Sequence, residues 1–240
     1  MSHTDRRLLG FEHGKIGDRI AVVLNGKQIY KSLYKPTNPR TPKQQMHRAK
    51  LAFANKLSKA LAEAVNLSFA TVSKKGSAQS PRNAFVKKNW NNGALEWMES
   101  EQSVTGEELQ GNWVLCPEKL CLADGPRYIG SDMTADVCDR RLHISCPNPR
   151  LDESHAVDDD QLMVAVYRPA MNTSYLYRGP MRNKCSECNF DLPSDAVGDD
   201  DTVHVYAWFQ ATVFHRAANL KTAVRPGQAS PSLYLGSFIL

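Results

Sequence analysis

Long apolar runs are missing from this 240-residue chain. No stretch approaches the roughly 20 residues needed to cross a bilayer as a helix, so no membrane partner is expected. No secretory leader is expected either: Arg6 and Arg7 are followed by Glu12, His13, Lys15, Asp18 and Arg19 where an unbroken apolar core is required. The expected location is therefore the cytoplasm or a virion. Cysteine is sparse, six in all, too few for a disulfide scaffold, and without a leader the thiols are expected to be reduced. Phosphate loops, dinucleotide-binding glycine fingerprints, nucleophile-elbow serines and zincin His-Glu pairs are all lacking. An enzyme is not expected, nor is a cofactor.

Acidic residues are scarce in one half. Between Asp18 and Glu96 the single acid is Glu63. Residues 1–90 carry 18 Lys and Arg against 4 Asp and Glu, whereas residues 91–240 carry 12 against 21. The net charge of +5 therefore hides a bipolar chain. A basic region of this extent attracts polyanions, either nucleic acid or an acidic protein surface, and the acidic half of a neighbouring copy is one such surface.

The pattern predicts an α+β protein in two parts: a basic hairpin-and-helix region over 1–95, an acidic linker over 96–110, and an all-β sandwich of the immunoglobulin or fibronectin type over 111–240. In the first part, Ile20–Leu24 and Gln28–Tyr34 read as strands joined at Asn25-Gly26, the strongest short hairpin signal because a two-residue type I′ turn needs positive φ at both positions. Pro36 and Pro39 make the next segment a connecting arm. A helix is predicted from Thr41 to about Val65, with Thr41 as cap, Pro42 in the first turn and Gln44 completing a capping box. Met46, Ala49, Phe53, Leu57, Ala60, Leu61 and Ala64 would form its apolar stripe, with Arg48, Lys56 and Lys59 pointing away. Asn83–Trp90 reads as a second helix or an extended segment.

In the second part, period-two runs at Trp113–Cys116, Arg141–Ser145, Gln161–Tyr167, Thr173–Tyr177, Thr202–Phe209 and Ser232–Ile239 read as strands between turn-rich clusters. Asp158-Asp159-Asp160 and Asp199-Asp200-Asp201 are read as solvated turns in preference to calcium loops. His143 and His204 are read as ordinary strand residues.

Cys185-Ser-Glu-Cys188 has the spacing that lets two thiolates reach one tetrahedral zinc. Cys116 and Cys121 are the candidates for the remaining two ligands, against the plainer reading of four ordinary thiols. The basic candidates for meeting nucleic acid or a protein partner are Arg40, Lys43, Arg48, Lys56, Lys59, Lys74, Lys75, Arg82, Lys87 and Lys88.

Gly14-Lys-Ile-Gly17, Gly26-Lys-Gln28, Asn38-Pro-Arg-Thr-Pro-Lys-Gln-Gln45 with Arg48 and Phe53, Asn83-Ala-Phe85 with Asn89, and Ser232-Leu-Tyr-Leu-Gly236 together resemble a domain-of-unknown-function family of Bacteroidota, their phages and mobile elements. The resemblance implies a helical first half, an immunoglobulin-like second half and a mobile-element setting. It brings no catalytic residues, and the cysteine-bearing segments around 116–146 and 180–190 depart from the family pattern. Two functions follow as expectations: a structural or assembly protein, such as a virion component, that meets copies of itself or other structural proteins through its basic half, or a nucleic-acid-binding accessory protein that uses the basic helix and loops.

Overall fold

The structure is a computed structural model that describes residues 3–4, 12–24, 26–33, 41–69, 72–74, 77–99, 111–130, 132–147, 158–193, 201–213 and 223–240. The chain divides into two compact units, Met1–Thr41 with Ser73–Ala78, and Pro42–Val72 with Gln79–Leu240.

The first unit is built on an antiparallel sheet of β1 (His3–Thr4), β2 (Gly14–Ile16), β3 (Arg19–Leu24) and β4 (Lys27–Ser32), ordered β1-β4-β3-β2. The β3–β4 hairpin closes with Leu24 opposite Lys27, a two-residue loop at 25 and 26 in which Gly26 takes a φ of 73°. Gln28, nearly fully buried, ties the sheet to the preceding segment: Glu12 N–H donates to its Oε1 at 2.8 Å, and its Nε2 donates to the Glu12 carbonyl at 2.9 Å. Tyr30 OH donates to the Glu12 carboxylate.

The second unit opens with α1 (Pro42–Ala60) and α2 (Ala62–Ser68). They are separated at Leu61, where the neighbouring Ala60 carbonyl accepts from Ser174 Oγ at 2.7 Å; a side chain bonded into the helical ladder is a recognised cause of a break. The strands β5 (Val72–Lys74) and β6 (Ser77–Gln79) pair with each other and belong for the most part to the first unit. Next comes α3 (Pro81–Asn89), a true helix whose start is fixed by Pro81 in its first turn and by Ser80, which accepts from Asn83 N–H.

Then follow β7 (Leu95–Glu99), β8 (Gly111–Leu115), β9 (Thr134–Cys138), β10 (Arg141–Ser145), β11 (Gln161–Arg168), β12 (Thr173–Met181), β13 (Glu187–Asp191), β14 (Thr202–Val213), β15 (Ala223–Ala229) and β16 (Leu233–Ile239). The central sheet runs β12-β11-β14, with β15 and β16 sharing the far edge of β14; a smaller sheet is β13-β10-β9, and β7 pairs with β8. All these pairings are antiparallel.

The central sheet is covered on both faces. Side chains alternate across a strand, so Leu162, Val164 and Val166 of β11 join Val203, Val205, Ala207 and Phe209 of β14 against Leu142 and Ile144 of the smaller sheet. From the opposite face, Met163, Ala165, Tyr167, Tyr206 and Trp208 meet Leu57, Leu61, Val65 and Phe85 of the helices. Each such buried aliphatic or aromatic side chain contributes about 1.5–3 kcal/mol relative to exposure.

Three sequence expectations change. The helices share a core with the strands, and residues 96–99 of the expected acidic linker belong to β7, paired with β8. The apolar stripe of α1 changes at one position: Ala49 is exposed, whereas Leu57, Leu61 and Ala64 are buried and Met46, Phe53 and Ala60 are half-buried, and Ala54 and Ser58 join the buried side. The aspartate runs are not wholly solvated. Asp160 is buried, 3.6 Å from the guanidinium of Arg182 and 3.8 Å from Arg127, and Asp201 is paired with buried Arg168.

Candidate functional site

On α1 the exposed cations Arg48, Lys56 and Lys59 occupy the side opposite Ala54 and Leu57, as the 3.6-residue period requires. Lys43 is exposed near the start of the helix. Lys50 is placed differently. Its Nζ lies 4.9 Å from the ring centre of Trp90 and 4.7 Å from that of Trp113, and donates to the Trp90 carbonyl at 2.7 Å. His47 stacks on Trp90, and Trp97 packs edge-on against Trp113. Desolvation lowers the Lys50 pKa, while the two indole faces stabilise its charged form.

Below Lys50 the helix borders a cavity of about 310 Å³ with an apolar and aromatic floor of Phe53, Leu57, Trp113, Leu115 and Tyr167, and with Lys56, Asn172 and His204 as its polar members. A hollow of about 460 Å³ adjoins it, lined by Lys56, Lys59, Ala60, Asn172, Thr173 and Ser174. The two share Lys56 and Asn172 and form one groove between α1 and the β11–β12 turn.

The groove walls are fixed by hydrogen bonds. Ser174 holds the Ala60 carbonyl, Asn172 turns the chain at a φ of 50° with its N–H donating to the Pro169 carbonyl at 3.0 Å, and Trp113 Nε1 donates to the Met46 carbonyl at 3.3 Å. His204 Nδ1 is 3.1 Å from Tyr234 OH, and burial lowers its pKa, which favours the neutral ring. Tyr206 OH donates to the Pro117 carbonyl at 2.9 Å, and desolvation raises its pKa. The result is an apolar slot with ammonium groups along one rim.

Three of the other basic candidates, Arg82, Lys87 and Lys88, lie on α3 and not on this rim. Lys88 pairs with Asp124 at 2.9 Å, a hydrogen bond that raises its pKa. Arg82 and Lys87 are exposed on α3, where Lys87 borders a separate hollow of about 300 Å³ with Trp90 and Asn83. Lys74 is placed in β5, and Arg40 and Lys75 lie outside the described residues.

The four cysteines proposed as zinc ligands do not converge. Cys121 lies beside Lys88, Asp124 and Ser232, with its thiol on the Ala123 carbonyl, and Cys116 precedes the 3₁₀ turn Pro117–Lys119. Cys185 and Cys188 pack into the core between the two sheets. Their companion there is Cys146, brought opposite them by the β10–β13 register, with its N–H donating to the Ser186 carbonyl at 2.8 Å. Cys146 and Cys188 both hydrogen-bond Cys185. The bond from Cys185 lowers the Cys188 pKa. At Cys185 the contact with Cys146 favours the thiolate, but the one with Cys188 and burial outweigh it and push the pKa up to about 12. Among the described residues no group of three or more His, Cys, Asp or Glu is placed to hold a metal ion.

The Lys50 cage, the His204–Tyr234 pair and Cys146 escaped sequence reasoning. Each depends on segments 30 to 63 positions apart, and the one local hint was the basic helix flanked by tryptophans at 90, 97 and 113. No protein-family model, no curated protein and no solved structure matches the chain.

Proposed function

We propose that this is a non-enzymatic structural or assembly protein, a component of a virion or mobile element, that associates through its basic first half with the acidic surface of another copy. The observation carrying this reading is the sheet of the first unit. Ile16, Leu24 and Leu33 are 43, 55 and 37 % exposed, Ile20, Val22, Val23, Ile29 and Tyr30 are half-buried, and among its described side chains Ala21 and Gln28 alone are buried. A sheet this small gains little stability until another layer covers one of its faces. The excess of 18 cations over 4 acids in residues 1–90, against 12 over 21 in the rest, favours head-to-tail contact between copies and would orient it.

The strand order supports a fibronectin-like sandwich as the display scaffold. The chain passes from β9-β10 in one sheet to β11-β12 in the other, returns to β13 beside β10, then adds β14 beside β11 and β15 with β16 beside β14. That alternation is the Greek-key pattern of such sandwiches, with the helices added on the outer face of the larger sheet.

Sedimentation of the full chain across protein and salt concentration tests the proposal. Oligomers should form at low salt and dissociate as salt screens the contact, and replacing Ile16, Leu24 and Leu33 together by serine should abolish them. A monomer at every concentration in low salt overturns the reading.

A further inference from the structure

The groove beside α1 has features that assembly through the first unit does not use. Its floor is aromatic, its rim is cationic, and no acid lines either part of it. Among the described residues no ion pair involves Lys56 or Lys59, both of which are exposed. The cationic face continues beyond the groove: Arg48 lies eleven residues before Lys59 on the same side of the helix, about 16 Å along its axis at 1.5 Å per residue.

We infer that this groove is a binding site for single-stranded nucleic acid, which seats a base on Phe53 and Trp113 and lays its phosphates along Lys59, Lys56 and Arg48. A small anion would engage one end of so long a row of cations, whereas a polymer of phosphates engages all of it. An acidic peptide matches the cations but brings no flat ring to the aromatic floor; a base brings both, since every base has a face that stacks on aromatic side chains. A duplex keeps its bases stacked inside and presents none to a cavity, which selects the single strand. Asn172 and His204, at the polar side of the cavity, offer an amide and a ring to a base edge. The cavity, at about 310 Å³, lies in the range of small-molecule sites.

The test uses the full chain and a fluorescently labelled oligothymidine of about 12 nucleotides, read by anisotropy across a salt series. Binding should weaken with salt by about 0.7 in log affinity per log salt for each phosphate contact on a single strand. The double variant Lys56→Gln, Lys59→Gln should reduce that slope by about 1.4 and weaken low-salt binding about tenfold or more. Both changes are at exposed positions and keep helix propensity, so the circular dichroism spectrum should stay as in the parent. The same changes at Lys43 and Arg82, away from the groove, should cost less than threefold or so. An abasic oligomer of equal length should bind about tenfold more weakly, since it keeps the phosphates and loses the base. Equal binding of the abasic strand or of a duplex overturns the seating of a base in the cavity. Displacement by polyglutamate as effective as by unlabelled oligothymidine assigns the groove to an acidic protein and overturns the inference, as does an absence of oligonucleotide binding at low salt.

Discussion

The sheet of the first unit and the central sheet of the second stand in opposite states of coverage. In the first unit, Ile20, Val22, Val23 and Ile29 are half-buried. In the second, every residue of β11 from Leu162 to Arg168 is buried. The difference is one of layers: the central sheet has helices against one face and a smaller sheet against the other, so both sets of alternating side chains enter a core. A strand covered once alternates between apolar and polar, while a strand covered twice is apolar throughout. Stability should follow the same division, with the second unit folding as one cooperative body and the first opening on its own at lower cost.

The most severe way to break the contrast is to strip one layer from the central sheet. A fragment of residues 111–240 loses α1 to α3 and exposes Met163, Tyr167, Tyr206 and Trp208. It should fail to fold as a monomer and should bind a hydrophobic dye, whereas residues 42–240 should show a cooperative thermal transition. A fragment 111–240 with a sharp near-ultraviolet spectrum and no dye binding would contradict the shared core.

Next in size is Asp160→Asn. Arg182 is fully buried, with its guanidinium 3.7 Å from the centre of the Phe209 ring and its Nη2 donating to the Tyr128 carbonyl at 2.5 Å. Asp160 supplies the opposing charge at 3.6 Å. Removing one member of a buried ion pair costs about 3–5 kcal/mol. Urea denaturation should therefore show a large drop in midpoint for the second unit, and a change under about 1 kcal/mol would mean that water compensates Arg182.

In the first unit the corresponding change is Gln28→Ala, which removes both hydrogen bonds to the Glu12 backbone. The expected loss is about 1–3 kcal/mol, confined to amides of β2, β3 and β4 in hydrogen exchange. Equal loss of protection in β11 and β14 would show that the two units unfold together.

The smallest effect is a pH dependence at His204. Burial holds its pKa in the folded state below the unfolded value of about 6.5, so the unfolded chain takes up the proton first. The stability it contributes is complete above about pH 6.5 and is lost as the pH falls through the lowered folded pKa, an effect of about 1 kcal/mol or less. His204→Gln should flatten that part of the stability profile, and an unchanged profile would place the acid sensitivity elsewhere.

How much of this was legible in the sequence depends on the range of the interactions. The β3–β4 hairpin was written in Asn25-Gly26, and α1 in Thr41, Pro42 and an apolar period, because turns and helix starts are decided within a few residues. Gln161–Tyr167 was read correctly as a strand, yet its unbroken apolar run was also a sign that both faces are covered. β9 and β13 were missed: Thr134–Cys138 and Glu187–Asp191 carry Asp, Glu and Asn on their exposed sides, and they gain strand character by pairing with β10, β9 across a tight turn and β13 from a distant part of the chain. In the family resemblance, Asn89 looked like an arbitrary landmark. In the fold its side chain donates to the Cys121 carbonyl at 2.9 Å and accepts from the Cys121 N–H at 2.8 Å, pinning α3 to the segment that follows β8. The groove could not be read because it assembles residues from four or more elements, nor the thiol cluster because it joins the end of β10 to β13 and the turn before it.

The placement of the indoles has an optical consequence. All four tryptophans, at 90, 97, 113 and 208, belong to the second unit, and Tyr30 is the described aromatic ring of the first. Selective tryptophan excitation is therefore blind to the first sheet, while far-ultraviolet dichroism sees both units. Two melting curves recorded on one sample by these two methods will coincide only if the units unfold as one, and any gap between them measures the independence of the first without a label or a mutation. Trp90 and Trp113 add a local reading, because the ammonium of Lys50 lies against both rings: loss of α1 from its bed should shift their emission while buried Trp208 is still dark to solvent quenchers.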